Sequence, residues 1–195
     1  MGKGRLEAFS DGVIAILITI MVLELRPPEH GGDLHSLRPL LPVFLTYALS
    51  FVYLAIYWNN HHHMLHATER IDGRVLWANS HLLFWLSLVP FGTAWVGENH
   101  EASTPAALYG VIMLMAGVAY LILQRTICAV PGGNPRLEAA LGSDVKGKLS
   151  SMAYAAAILL AFVNQWIADA IYVAVAMMWL IPDRRIESRL TNAGT

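Results

Sequence analysis

The sequence predicts an all-α membrane protein with six transmembrane helices per subunit and both termini in the cytoplasm. Of its 195 residues, 56% are hydrophobic and 14% are charged, whereas about 25% of the residues of an average soluble domain are charged. Several apolar stretches reach the roughly 20 residues that a helix needs to cross a bilayer core. The basic residues also fall mainly on one side of the resulting topology, as expected of cytoplasmic loops.

Charge and cysteine content exclude several other classes of protein. The 13 Lys and Arg are balanced by 14 Asp and Glu, so no net positive charge is available to hold nucleic acid. The single cysteine, Cys128, cannot form an internal disulfide, and no zinc-finger spacing of Cys and His occurs. No Pro-rich or Ser/Gly-rich linker divides the chain, so residues 1–195 are predicted to form one domain.

Three helices follow directly from stretches without Asp, Glu, Lys or Arg, at 39–58, 75–97 and 102–124. The first helix carries acidic residues only near its ends. Because Glu7 and Asp11 stand where a signal peptide would be basic, this stretch is predicted to span the membrane. The segment 149–182 is interrupted by Asn164, Gln165 and Asp169 and is too long for one crossing, which predicts a helical hairpin. The six predicted helices cover about 5–25, 39–65, 74–97, 103–126, 147–163 and 166–182.

The basic residues support the count of six. Only Arg26 and Arg38 fall on the outer side of this topology. The cytoplasmic side receives eleven, including those of a loop predicted at 130–148: Lys3, Arg5, Arg70, Arg74, Arg125, Arg136, Lys146, Lys148, Arg184, Arg185 and Arg189. Within the fourth helix, Gly110 and Gly117 would permit close helix packing, although small residues are also common in this chain.

At about 100° per residue, Ile16, Ile20 and Leu23 form one narrow stripe of the first helix, with Thr19 at its edge. Phe9 and Gly12 continue the stripe toward the N-terminus, and Asp11 points to the opposite side. Periodicity alone does not assign a role to this stripe, because apolar stripes are common in membrane helices.

Residues 5–25 read RLEAFSDGVIAILITIMVLEL, which resembles the first-helix signature of the transmembrane protein 175 family of potassium channels. The signature places Arg5 four residues before Phe9-Ser10-Asp11 and is followed by aliphatic residues and a threonine. The resemblance extends to the segments 58–62 and 88–91 and to the six-helix count.

The resemblance implies a moderately selective potassium channel, with potassium as the permeating ion and no cofactor, in the plasma membrane of a prokaryote. The pore would be lined by the first helix of each subunit of a homotetramer within the lipid bilayer. The family's hydrophobic constriction carries over to Ile16, Ile20 and Leu23, and its selectivity-related hydroxyl to Thr19. No Thr-Val-Gly-Tyr-Gly filter sequence occurs, consistent with a pore built without a carbonyl-lined loop.

Polar residues near the cytoplasmic end of the first helix are predicted to hold it in place. The resemblance implies that Phe9, Ser10 and Asp11 form a packing and hydrogen-bonding clamp. Arg5 belongs to the same structural motif, and it either lines the inner mouth or acts as a charged anchor. A carboxylate at membrane depth needs partners, so Asp11 is expected to accept hydrogen bonds from asparagines and histidines of helices 2 and 3. This predicted polar network includes Asn60, His61, His62 and His81.

The alternative function is a metal-ion or proton-coupled membrane transporter that uses the cluster from His61 to His66. His62 and His66 lie one helical turn apart and could ligate zinc, copper or haem. We assign no metal site, because no second cluster of ligands accompanies them apart from His81. No set of nucleophile, base and orienting group is visible, so the chain is not expected to be an enzyme.

Overall fold

The computed structural model describes residues 2–28, 32–130 and 145–180. These residues form seven α-helices and one 3₁₀ helix at Leu34–Leu40. The α-helices are α1 (Lys3–Leu23), α2 (Leu41–His66), α3 (Gly73–Ser87), α4 (Val89–Glu98), α5 (Ser103–Cys128), α6 (Val145–Leu160) and α7 (Gln165–Leu180). The described part of the chain contains no strand. Because α3 and α4 follow one another as a single bent span, the predicted all-α fold with six helices is confirmed.

Four helical segments are long and apolar enough to cross a membrane: Lys3–Leu23, Leu34–His66, Gly73–Glu98 and Ser103–Cys128. Gln165–Leu180 is a shorter apolar helix. Several boundaries differ by a few residues from the predicted ones. Pro39 lies in the 3₁₀ helix, and α2 begins at Leu41 with Pro42 in its first turn, where a missing backbone N–H costs no hydrogen bond.

The third predicted helix, 74–97, is not continuous. It breaks at Leu88, between α3 and α4. Pro90 explains the break, because proline has no N–H to donate to the carbonyl four residues earlier and its ring clashes with that carbonyl. Regular bonding resumes when the Gly92 N–H donates to the Leu88 carbonyl at 3.0 Å. The regular hydrogen bonding of the span is therefore interrupted at Leu88.

Helix α5 is the centre of the subunit and packs against α3, α4, α6 and α7. Its buried residues occur all along its length, among them Tyr109, Met113, Ala116 and Leu123. Helix α1 lies at the edge, against α2, α3 and α4. This arrangement leaves one side of α1 outside the core of the subunit.

Contacts between helix ends show which ends lie together. The Lys3 Nζ donates to the His66 carbonyl at 2.8 Å, which joins the start of α1 to the end of α2. The Lys146 ammonium lies 5.8 Å from the centre of the Trp179 ring, which joins the start of α6 to the end of α7. That these helix ends face the cytoplasm stays a prediction. Most of the predicted basic loop at 130–148, with Arg136, lies outside the described residues, as do Arg184, Arg185 and Arg189.

The predicted hairpin at 149–182 is formed by α6 and α7, which pack against each other. The turn between them ends at Asn164, whose Oδ1 accepts from the Trp166 N–H at 2.9 Å and so caps α7. Helix α5 approaches this hairpin closely at Gly110, where an added Cβ would lie 2.8 Å from Ile158 Cγ1 and would also meet the Tyr172 hydroxyl. The absence of a side chain at Gly110 is therefore what permits this packing.

Candidate functional site

Helix α1 has one face that is buried in its own subunit. The buried residues of α1 recur every three or four positions, so they share one side of the helix. They are Leu6, Ser10, Ile14, Leu17 and Met21. Because this side packs against α2, α3 and α4, the rotation of α1 about its axis is fixed within the subunit.

The opposite face of α1 is uncovered. The exposed fractions are 54% for Phe9, 56% for Ile16, 41% for Ile20 and 74% for Leu23, and Thr19 is also exposed. We call these five residues the α1 stripe. The structure thus brings together the predicted constriction residues and Thr19 on a single apolar face that the other described residues of the subunit leave exposed.

The Thr19 hydroxyl has a defined orientation within the α1 stripe. Its Oγ1 donates to the carbonyl of Ile16 at 2.9 Å. A threonine hydroxyl has one hydrogen and two acceptor lone pairs. Since the hydrogen is used within the helix, the oxygen is left to accept from water or to face a cation.

A buried chain of hydrogen bonds joins α1, α2 and α3. His61 Nε2 lies 2.7 Å from Asn79 Oδ1, and Asn79 Nδ2 donates to Ser10 Oγ at 2.9 Å. The Ser10 hydroxyl in turn donates to the Leu6 carbonyl at 2.9 Å. An amide oxygen only accepts, so His61 Nε2 is the donor in this arrangement. These side chains are almost fully buried, and the chain of bonds fixes α1 against its two neighbours.

Asp11 does not belong to this chain of bonds, so the expected pairing of Asp11 with asparagines and histidines of helices 2 and 3 is wrong. Its Oδ1 instead accepts from Trp58 Nε1 at 3.0 Å. The reason is the step of about 100° between successive helical residues. Ser10 occupies the buried face toward α3, and Asp11, half-buried, turns toward the α2 residue Trp58.

The four residues predicted as one polar network on helices 2 and 3 lie in different surroundings. Asn60 Nδ2 donates to the Ile56 carbonyl of its own helix. His62 Nδ1 is 3.6 Å from Glu7 Oε1, and His81 Nε2 accepts from Trp85 Nε1 at 3.0 Å. Of the four, His61 alone belongs to the buried chain of bonds through Asn79 and Ser10, whereas His62 reaches α1 separately, at Glu7. The prediction of a single network is therefore wrong, because these side chains face different sides of their helices.

The predicted clamp is also divided. Ser10 and Asp11 make the hydrogen bonds just described, but Phe9 is 54% exposed and belongs to the α1 stripe. Arg5 is exposed at the start of α1. Within the subunit, therefore, the hydrogen bonds of this motif come from the serine and the aspartate, and the phenylalanine does not pack against the core.

Two polar contacts beside α1 were not found from the sequence. Trp58, the partner of Asp11, could have been recognised because an indole N–H at membrane depth needs an acceptor. The second is a pair of buried hydroxyls, in which Thr93 Oγ1 lies 2.6 Å from Ser50 Oγ and 3.8 Å from Met21 Sδ. No sequence motif marks this pair, whose two residues are 43 positions apart.

The histidine cluster on α2 is a stack of rings. The rings of His62 and His66 are 6.1 Å apart and inclined by 18°, and the Trp58 ring stacks on His62 at 5.9 Å. Across residues 2–28, 32–130 and 145–180, no three His, Cys, Asp or Glu side chains are placed to share a metal ion. Parallel rings do not direct their nitrogens toward a common point, so this geometry gives the metal-transporter alternative no support.

Comparisons with known proteins agree on one family. The family model described as "Endosomal/lysosomal potassium channel TMEM175" matches residues 5–90. A protein of Chryseobacterium sp. (strain P1-3) named as a potassium channel is 51% identical over 97% of this chain and 98% of its own. A protein of Streptomyces collinus, also named as a potassium channel, is 31% identical over 83% of this chain and 84% of its own.

A solved structure shows the same architecture. The crystal structure of a lysosomal potassium-selective channel TMEM175 homolog from Chamaesiphon minutus superimposes with a TM-score of 0.79 at 29% identity. The match covers 92% of this chain and 96% of that one. The similarity therefore extends over nearly all of both chains.

Proposed function

The chain belongs to the TMEM175 family of potassium channels, and on that premise we propose that four copies form a pore lined by α1. It is a membrane channel and not an enzyme. The permeating ion is potassium, and the conduction pathway runs along the shared axis of the four α1 helices. The Ile16, Ile20 and Leu23 side chains form its constriction.

The observation that carries this proposal is the exposed α1 stripe on a helix whose rotation is fixed. The buried chain of bonds through Ser10, Asn79 and His61 sets that rotation. The face opposite to it then presents Ile16 at 56% and Leu23 at 74% exposure. Four subunits that bring this face to a common axis would cover it and create a passage.

Conduction depends on whether water fills the constriction. An ion loses its hydration shell at a large energetic cost when it meets only hydrocarbon, and hydrophobic constrictions can gate by dewetting. Rings of Ile16, Ile20 and Leu23 therefore close the pore when they are narrow. A small outward tilt or rotation of the four helices admits water, and potassium then passes partly hydrated.

Thr19 supplies the oxygen atoms nearest to this constriction. Its hydrogen is donated to the Ile16 carbonyl, so four such residues would turn four oxygen lone-pair regions toward the axis. Potassium sheds its water at lower cost than sodium, and a few oxygens at partial dehydration favour it. A preference based on one hydroxyl per subunit is moderate, since a carbonyl-lined filter supplies many more oxygens.

The proposed homotetramer is the assembly that the family resemblance implies for a chain with one six-helix unit, and in it the α1 stripe of each copy would be covered. The proposed location is the plasma membrane of a prokaryotic cell, in line with the bacterial relatives. Both termini would lie in the cytoplasm, where the basic helix ends concentrate.

Ion flux from liposomes that contain the purified protein tests the proposal. Shortening one constriction residue, Ile20→Ala, widens the hydrophobic passage and is expected to raise potassium flux about fivefold, which corresponds to a barrier lower by about 1 kcal/mol. The matched control is Val22→Ala. Val22 is similarly exposed, at 46%, but lies off the α1 stripe, so its variant should conduct like the wild type. Equal effects of the two substitutions would contradict a pore lined by the stripe.

The same assay separates the channel from the transporter alternative. Voltage-driven potassium flux that does not saturate at high concentration supports a pore. Flux that saturates and needs a proton gradient would favour a proton-coupled carrier, and His62→Gln should then abolish it. In a pore lined by α1, His62→Gln leaves the potassium flux within about twofold of the wild type, because this ring lies on α2 against Glu7.

A further inference from the structure

A recess of about 290 Å³ opens between the beginning of α3 and the end of α5. Its lining residues are Asp72, Arg74, Arg125, Thr126 and Ala129. The recess lies at the end of the subunit where the basic helix ends gather, and none of its residues belongs to the α1 stripe or to the bonds that hold α1. The volume approaches that of a small-ligand pocket.

Two guanidinium groups in this recess are available to a ligand. Arg74 and Arg125 are both exposed, and in the part of the chain that the structure describes neither has a carboxylate partner. The two other polar side chains of the lining form hydrogen bonds within or next to their own helix. Asp72 Oδ1 accepts from the N–H groups of Arg74 at 2.9 Å and Val75 at 3.0 Å, and the Thr126 hydroxyl donates to the Ile122 carbonyl at 2.7 Å.

The chemistry of this pair suits a phosphate group. Guanidinium presents its N–H donors in a planar fork that matches two phosphate oxygens, and such charge-assisted bonds are about twice as strong as neutral ones. The Asp72 charge is partly offset by the N-terminal amides of α3 that it caps. The recess therefore retains a positive field from Arg74 and Arg125.

Exposed apolar side chains lie next to the two arginines, one helical turn farther from the helix ends. Trp77 follows Arg74 by three residues and is 80% exposed, and Ile122 precedes Arg125 by three residues and is 42% exposed. Both are thus placed toward the hydrocarbon, beneath the charged groups. Tryptophan prefers this interfacial depth. The phosphate of a phospholipid would be bound by the arginines while its acyl chains contact the apolar side chains, whereas a free phosphate would contact the arginines only.

We propose that this recess binds the headgroup of an anionic phospholipid. Arg74 and Arg125 hold its phosphate, and Trp77 and Ile122 contact the first methylenes of its chains. Basic recesses between membrane helices at the cytoplasmic surface are suited to anionic headgroups. A lipid held here would contact both α3 and α5. It would thus link α3, whose Asn79 donates to Ser10, to the central helix of the subunit.

The test is a titration of the purified full-length protein in neutral detergent with dioleoyl phosphatidylglycerol, with bound lipid per chain read by native mass spectrometry. The double variant Arg74→Gln/Arg125→Gln is expected to bind about 25-fold more weakly, and each single variant about fivefold more weakly. The double Arg→Lys variant should recover part of the affinity, since lysine keeps the charge but not the planar fork. The matched control Lys148→Gln removes an exposed charge at the same end of the subunit and should bind like the wild type.

Three results would overturn the proposal: unchanged affinity in the double variant, equal weakening by Lys148→Gln, or equal affinity for dioleoyl phosphatidylcholine. Displacement of the lipid by millimolar inorganic phosphate would also overturn it, because the recess would then be a site for soluble phosphate. Should the double variant fail to purify as the native oligomer, Arg125→Gln alone is compared with the wild type. Trp77→Ala gives an independent reading, since it should weaken lipid binding without changing the oligomeric state.

Discussion

Helices α1 and α5 are alike in length and hydrophobicity, but α5 lies at the centre of the subunit and α1 at its edge. Both are long and apolar enough to cross a membrane. In their most apolar 18-residue stretches, however, 50% of the α5 residues are buried and only 28% of the α1 residues. Helix α5 is surrounded by four other helices, whereas α1 packs along one side only.

Hydrophobicity alone therefore does not give the role of a membrane helix. Helix α5 uses its small residues, such as Gly110 and Ala116, to let neighbours approach from several directions. Helix α1 uses polar residues, Ser10 and Asp11, to hold one face and leaves the opposite one uncovered. The first pattern is that of a scaffold, and the second leaves one face of α1 free, which the proposed tetramer would cover.

The largest effect, a loss of stability, is expected from adding a side chain at Gly110, where α5 packs closely against its neighbours. In Gly110→Ala, the added methyl group would meet Tyr172 and Ile158, and overpacking of this kind costs about 1–3 kcal/mol. The measurement is thermal unfolding of the purified protein. Gly12→Ala on α1 and Gly117→Ala on α5 are the controls, because a Cβ at Gly12 meets nothing within 4 Å and one at Gly117 lies 3.8 Å from the Tyr57 hydroxyl. If all three variants unfold at the same temperature, the contrast between the two helices is wrong.

A smaller loss of stability is expected when the attachment of α1 is cut. Asn79→Ala removes both the acceptor of His61 Nε2 and the donor to Ser10 Oγ, and we expect a cost of about 1 kcal/mol, typical of a polar contact between membrane helices. The neighbouring Ser80→Ala is the control, since Ser80 is exposed and bonds only to its own helix at Leu76. Thermal unfolding and potassium flux are measured together. An Asn79→Ala protein as stable as Ser80→Ala, with normal flux, would remove this chain of bonds from the account.

The smallest effect is expected at the edge of the α1 stripe. Thr19→Val removes the proposed oxygen and keeps the shape of the side chain, so the potassium-to-sodium permeability ratio should fall about threefold, which corresponds to about 0.6 kcal/mol. Thr46→Val is the control, because Thr46 makes the same kind of bond to its own helix, at Pro42, but lies on α2. A permeability ratio that Thr19→Val leaves untouched would exclude Thr19 from selectivity.

The helices themselves could be predicted from the sequence, because bilayer thickness sets a length that apolar stretches either reach or do not. The break at Leu88 could not be predicted from Pro90 alone, since a proline inside an apolar stretch does not show whether the helix kinks there or ends there. The family was also recognisable from the residues around Phe9-Ser10-Asp11, and the comparisons confirm it.

The partners of the polar residues could not be predicted in the same way. Helical periodicity placed Asp11 away from the α1 stripe, but it does not show which neighbouring helix lies there or at what height. Only the packed structure shows that Ser10 meets Asn79 and that Asp11 meets Trp58. The exposed stripe was predictable as a face of α1, and its position around a shared axis stays a prediction because it depends on other copies of the chain.

Cysteine substitution along α1 identifies which face of this helix lines the conduction pathway. In a Cys128→Ser background that retains potassium flux, single cysteines are introduced at Ala15, Ile16, Ile20, Val22 and Leu23 and treated with a small cationic thiol reagent during the flux assay. If the α1 stripe lines the pore, the reagent blocks flux through the variants at Ile16, Ile20 and Leu23 and leaves those at Ala15 and Val22 unaffected. Block at Ala15 and Val22 without block at the stripe positions would show that another face of α1 lines the passage. No block at any of the five positions would show that α1 does not line it.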